Sequence, residues 1–376
     1  MSWVLAIAGF ALLVVLHEAG HFTAAKLVGM RVERFFLFFP PKLVSVTRGE
    51  TEYGIGAIPL GGFVKITGMN PEEEVPPEVA DRAYYRQPVW KRIVVIAAGP
   101  LVNIMLALVL FFALAVGFGL DDPDGPTSTV GAVDESLPAA GQLQSGDELI
   151  AIDGVDVASL SGLGLIDTVR EQVATHQCAA PITDGCAAKT PAELEVLRAG
   201  EPVTLEIKPT FSAPEVPPGE PEIEPRMVIG FGYEFDRERT SAAEGAEFAV
   251  DRLWLVTSRT AEVFAGIFDA EQREQITGIV GATEVTRQSF EFDTRQAIGV
   301  LAVISLSLGL VNLLPFLPLD GGHIFWAIVE KLRGKPVPLR IMERSGIIGF
   351  GLVLILFFIG LQNDINTLTG DGFNVR

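Results

Sequence analysis

His17-Glu18-Ala19-Gly20-His21 gathers two imidazoles and a carboxylate within five residues. On a helix, residues four apart share a face, so His17 and His21 can bind one metal ion. Glu18 flanks that face and can reach a water held at the metal. The setting sharpens the reading, because Trp3 to Leu16 is almost wholly apolar and runs straight into the motif. An ionisable side chain at membrane depth costs about 2.5–3.5 kcal/mol or more, so it persists where it is compensated or functional. The alternative is a helix whose histidines merely hydrogen-bond to neighbouring helices, which leaves three costly residues to explain at once. The chain has four histidines, and His17, His21 and His323 fall in two apolar segments, with His176 apart.

Catalytic zinc sites usually have three protein ligands, with water in the fourth position. The best third donor is Asp320, in Asn312-Leu-Leu-Pro-Phe-Leu-Pro-Leu-Asp-Gly-Gly-His323. It sits in apolar sequence at a proline-broken helix, where Gly321 and Gly322 let the backbone turn tightly. A helix cap is the bland reading of that aspartate, and His323 is its rival as ligand. With one zinc per chain, the metal would lower the pKa of a bound water to about 7. Glu18 would take the proton as general base and pass it to a leaving amine. That is peptide hydrolysis. Asn103, in Gly99-Pro-Leu-Val-Asn103, could hold a substrate backbone or an oxyanion, or bond between helices. Asn312 carries the same two readings.

Mean hydropathy is +0.38 over 376 residues, yet net charge is −19. Both hold together only if charge is segregated. Four apolar stretches read as spans: residues 2–28, 93–120, 297–314 and 347–361, the last short for a full crossing. The N-terminal stretch lacks a basic n-region and a small-residue cleavage site, and is read as a retained span. Basic residues crowd Arg31 to Arg92 and Lys331 to Arg344, which makes both connections cytoplasmic. The acidic stretch from Asp121 to Asp293 is then outside. No basic nucleic-acid patch is present.

Thr51 to Gly68 alternates apolar residues with Gly54, Gly56, Gly61 and Gly62, the pattern of a twisted hairpin. An open edge there could accept an extended substrate at Gly61 and Gly62, the alternative being an ordinary cytoplasmic hairpin. Residues 125–210 show short strands and Gly/Asp turns, with a helix from Leu163 to Val173 and further strands from Glu193 to Pro209. A Pro/Glu-rich linker follows from Ser212 to Pro225, then a strand-like Met227 to Phe235. Ser241 to Ala270 has the apolar spacing of an amphipathic helix. Cys178 and Cys186 can pair if their side is oxidising, or stay as thiols.

Taken together, His17–His21, the glycine hairpin Gly54–Gly68, Gly99–Asn103 and Asn312–His323 resemble the site-2 protease family of intramembrane zinc metalloproteases. They are most similar to the bacterial regulator-of-sigma-E branch. Gly49–Gly54 and the Cys178–Cys186 loop look like its actinobacterial members. The resemblance implies a polytopic α-helical membrane protein with four transmembrane helices, a re-entrant β-hairpin and an extracytoplasmic β-rich PDZ domain. It partitions the chain into a first helix (1–28), a cytoplasmic loop with the hairpin (29–92), a second helix (93–120) and the PDZ domain (125–210). Linker, strand and amphipathic helix (211–295), a third segment with the LDG motif (296–330), a cytoplasmic loop (331–346) and a fourth helix with tail (347–376) complete it. The implied setting is a bacterial inner membrane. The implied substrates are single-pass membrane proteins such as an anti-sigma factor already cut outside, or remnant signal peptides. Two other classes compete: a membrane metal transporter, and an inactive scaffold. A proton-accepting Glu18 beside a His pair argues against both.

Overall fold

The computed structural model describes residues 1–70, 73–134, 136–178, 182–213, 225–267, 269, 272–273 and 276–369. Most of the Pro/Glu-rich linker, Phe268, Ala270 and the tail beyond Thr369 lie outside these. In chain order, α1 (Ser2–Leu27) leads to strands β1 (Val32–Arg48) and β2 (Thr51–Ile66), two 3-10 turns (Pro77–Arg82, Tyr84–Arg86) and α2 (Val89–Phe118). Then come β3 (Leu120–Val133), β4 (Glu148–Ile152), β5 (Val155–Asp156), α3 (Gly162–Thr175), β6 (Ala192–Arg198), β7 (Glu201–Ile207), β8 (Thr210–Ser212), β9 (Arg226–Val228) and β10 (Phe231–Glu238). Helices α4 (Ala242–Ala265), α5 (Ile279–Phe292), α6 (Thr294–Asn312), α7 (Asp320–Arg333) and α8 (Leu339–Thr369) follow. The chain divides into two compact units, Met1–Ala115 with Ala242–Val375, and Val116–Ser241.

In the first unit, four described helices are long and apolar enough to cross a membrane: Ser2–Leu27, Val89–Phe118, Thr294–Asn312 and Arg340–Thr369. Even α6, with 19 residues, reaches about 28 Å at 1.5 Å per residue, close to a hydrocarbon core of about 30 Å. The last helix corrects the sequence reading. With 31 residues α8 is not short, because Arg340, Glu343 and Arg344 at one end and Asn363 and Asp364 at the other continue it beyond the apolar stretch. The expected loop over 331–346 shrinks accordingly to residues 334–338 between α7 and α8. Residues 313–319 leave the helix after Asn312, and Asp320 opens a new one. The third apolar segment is therefore two helices joined by a proline-containing break, since Pro315 and Pro318 cannot extend a hydrogen-bonded turn.

The β-structure after α1 is also larger than the glycine pattern announced. It begins at Val32, and β1 pairs with β2 twice over: Phe36 lies opposite Gly54 on one side and Phe63 on the other. The run Phe35 to Pro41 hides period-two alternation behind consecutive phenylalanines, so only the glycine half was legible.

The second unit is an antiparallel sheet in the order β10-β3-β4-β6-β7, with β5 on β4. Strand β6 alternates cleanly: Ala192, Leu194 and Val196 point inward, Glu193 and Glu195 outward. These inward side chains meet Leu165 and Val169 of α3 in one core. The unit extends past the expected 125–210 at both ends, because β10 pairs with β3 from Leu120 on. The Met227 to Phe235 stretch is split into β9 and β10 at Gly230, whose φ of +97° interrupts the strand. Cys178 and Cys186 are joined by a disulfide.

Candidate metal centre

Helix α1 buries one set of small residues together with its histidines: Ala6, His17, Gly20, His21, Ala24 and Ala25. A stripe of glycine and alanine beside two imidazoles lets another helix come close. Helix α2 takes that place at Gly99, where an added Cβ would lie 2.2 Å from His21 Nε2. No side chain fits between the histidine and this backbone. Ser305 of α6 donates to the Asn103 carbonyl at 2.9 Å, joining a third helix to the same level. The fourth contributor is α7, which opens with Asp320. Gly321 and Gly322 form its first turn rather than a loop, pressed against the backbone of residues 313–317.

The result is a convergence of three donor atoms. His17 Nε2 lies 3.2 Å from His21 Nε2. Asp320 Oδ2 lies 3.2 Å from the first and 3.3 Å from the second. Both histidines are 7% exposed, and Asp320 Oδ2 has no hydrogen-bond partner among the described residues. Three lone pairs at such distances repel unless a cation joins them. A tetrahedron with ligand bonds of about 2.0–2.1 Å has edges of about 3.3–3.4 Å, so the triangle already has the dimensions of a zinc site. Two imidazoles and a carboxylate are also the donor set that catalytic zinc takes. Among the described residues, this is the group of acidic, histidine and cysteine side chains placed to hold a metal ion.

The sequence pattern of peptidase family M50 matches residues 5–356, almost the whole chain. The chain belongs to peptidase family M50. Zinc metalloprotease Rip1 of Mycobacterium tuberculosis is 32% identical over 89% of this chain and 87% of its own length. A Rhizobium meliloti protein, provisionally named zinc metalloprotease R01501, is 30% identical over 96% of this chain and 95% of that one. Rip1 of Mycolicibacterium smegmatis is 30% identical over 90% and 87%. With four apolar helices, this M50 peptidase is a multi-pass membrane protein and a metalloprotease.

The remaining candidate residues separate into two groups. Glu18 stands next to His17, and its Cγ lies 3.0 Å from where a Cβ on Gly62 would be, so the absence of a side chain at Gly62 admits the carboxylate to the sheet. Gly61, φ +123°, bends the strand immediately before. Asn103, fully buried, turns its amide to His17 Nδ1 at 3.2 Å. Asn312 instead donates to the Leu308 carbonyl one turn back in its own helix, at 3.0 Å. His323, one turn beyond Asp320, is not part of the converging triad.

Several supports were beyond sequence reasoning. The Val95 carbonyl lies 2.9 Å from His21 Nδ1. Arg92, nine-tenths buried, makes a two-pronged bond to Glu330 of α7 at 3.0 and 2.6 Å, with Tyr84 beneath its guanidinium. Burial pushes the Tyr84 phenol up to about 12. At the turn joining β1 to β2, Glu50 binds Arg82 and Lys26, the latter in the last turn of α1. The Arg82 guanidinium, with help from Lys26, holds the Glu50 carboxyl at about 2. A charge at the border of an apolar run was the available signal for Arg92, but nothing in the sequence paired it with a residue 238 positions away.

Proposed function

We propose that this M50 peptidase is an intramembrane zinc endopeptidase that cuts within transmembrane segments of single-pass proteins. One observation carries the reading: His17 and His21 from an apolar helix, and Asp320 from the start of α7, present their ligand atoms to one point. The three would hold a single zinc. Bound there, zinc supplies Lewis acidity that polarises a peptide carbonyl and lowers the pKa of water to about 7. Glu18 is the general base: its carboxylate takes a proton from the attacking water and returns it to the departing amine nitrogen. The two-strand sheet at Gly61 and Gly62 reaches Glu18 and offers strand edges, so an unwound substrate segment can add to it by backbone pairing. Proteolysis needs that extended backbone, whereas a transmembrane substrate arrives helical.

The second unit is read as an extracytoplasmic PDZ module. Its disulfide, its acidic composition and the basic stretches on either side of it support placement in an oxidising compartment outside the cell membrane. In that arrangement it filters substrates, and an anti-sigma factor already trimmed outside is the substrate class proposed. Glu18→Gln tests the reaction. The variant should retain zinc and fold, yet lose cleavage of a co-expressed single-pass substrate by at least about a hundredfold. Continued cleavage would remove Glu18 from the mechanism.

A further inference from the structure

Each metal-facing histidine has a partner on its other ring nitrogen, and the two partners differ in kind. His21 Nδ1 meets the Val95 carbonyl oxygen, which can only accept. His21 must therefore carry its proton on Nδ1, which leaves Nε2 with a lone pair for a metal. His17 Nδ1 meets the side-chain amide of Asn103, which can donate through Nδ2 or accept through Oδ1. With Nδ2 facing the ring, His17 must carry its proton on Nε2, and that nitrogen cannot bind a metal. With the amide turned over, Oδ1 accepts from Nδ1–H and Nε2 is released.

Two observations favour the turned amide. Asn103 Oδ1 is buried and has no hydrogen-bond partner among the described residues, so turning the amide over breaks no bond of the oxygen and brings it to an Nδ1–H from which it can accept. His17 Nε2 also lies 3.2 Å from both His21 Nε2 and Asp320 Oδ2, the spacing of ligand atoms around one ion, and an Nε2–H would close that position to the metal. Asn103 is held firmly in place, since it is 0% exposed and Ser305 of α6 donates to its backbone carbonyl. We propose that Asn103 is a positioning residue whose amide oxygen fixes His17 in the Nδ1–H tautomer and so presents Nε2 to the metal. The inference rests on the zinc reading of the triad.

The experiment uses the full chain in detergent, stripped of metal and titrated with zinc against a chromophoric chelator. Asn103→Leu removes the acceptor and should weaken zinc binding about 10–100-fold. Asn103→Asp keeps an acceptor of the same shape and has no N–H to donate, so it should bind zinc at least as tightly as the parent. Unfolding of the metal-free variants checks that the fold persists. Should the Leu variant not fold, the Asp variant decides alone. Weaker binding by Asn103→Asp would show the amide acting as a donor and overturn the proposal, as would unchanged binding by Asn103→Leu. Failure of the underlying zinc reading has a different signature: the parent itself would bind zinc no better than a His17→Ala/His21→Ala chain.

Discussion

Removing the carboxylate of Glu330 while keeping Arg92 should destabilise the membrane unit by about 3 kcal/mol. The magnitude starts from burial: the Arg92 side chain is 10% exposed and that of Glu330 25%, and the two meet through two short bonds. Breaking one partner of a buried pair costs about 3–5 kcal/mol, because the remaining charge is left without compensation. The partial exposure of Glu330 places this pair at the lower end. Arg92 Nε already lacks a hydrogen-bond partner among the described residues, so the guanidinium has nothing in reserve. The consequence reaches the metal centre, since Glu330 lies ten residues along α7 from Asp320, about 15 Å at 1.5 Å per residue. Glu330→Met, Arg92→Met and the double variant Arg92→Met/Glu330→Met form the cycle to measure, with Glu330→Gln beside them, by unfolding in mixed micelles. The single changes should each cost about 3 kcal/mol, and the double much less than their sum, because two apolar residues replace a desolvated pair. Zinc affinity should fall with the single changes and recover in the double. Additive costs, or a Glu330→Gln loss below about 0.5 kcal/mol, would refute the argument that this pair positions α7.

Gly99→Ala should abolish high-affinity zinc binding, because the new methyl would occupy the space of His21 Nε2; equilibrium dialysis of the purified variant measures it. Asp364 of α8 accepts from the backbone N–H groups of Gly278 and Gly281, capping α5 from another helix. Asp364→Ala should therefore cost about 1–2 kcal/mol in unfolding experiments, with Asp364→Asn losing only part of that. Glu50 supplies a pH dependence with a definite sign. Its folded carboxyl titrates at about 2, below the ordinary value of 4.5, so its stabilisation is present above pH 4.5 and lost as pH falls towards 2. Melting temperature measured across that window should decline less steeply in Glu50→Gln than in the parent.

The local signals that survived folding were those written in neighbouring residues. HExxH on an apolar helix, the strand alternation of Glu193 and its neighbours and the four apolar stretches were each legible because their period or composition is contained in one segment. Helix ends were less so. Hydropathy stops at the first charge, whereas helical hydrogen bonding continues, and α8 therefore runs well past the apolar core at both ends. The first half of the β-sheet was hidden for the opposite reason, since consecutive phenylalanines and two prolines mask alternation that pairing with β2 imposes.

Sequence alone determined which atoms could bind a metal: two imidazoles a helical turn apart, and a carboxylate whose solitary position in apolar sequence demanded a partner. Tertiary structure decided that they meet within 3.3 Å, and which groups hold them there. Asn103, the Val95 carbonyl, the Arg92–Glu330 pair and the closeness permitted by Gly99 all act across separations of 74 to 238 residues or between packed helices. Such contacts arise from packing geometry, in which any of several polar side chains would satisfy the local pattern equally well. The choice among them is made only when the helices are in contact.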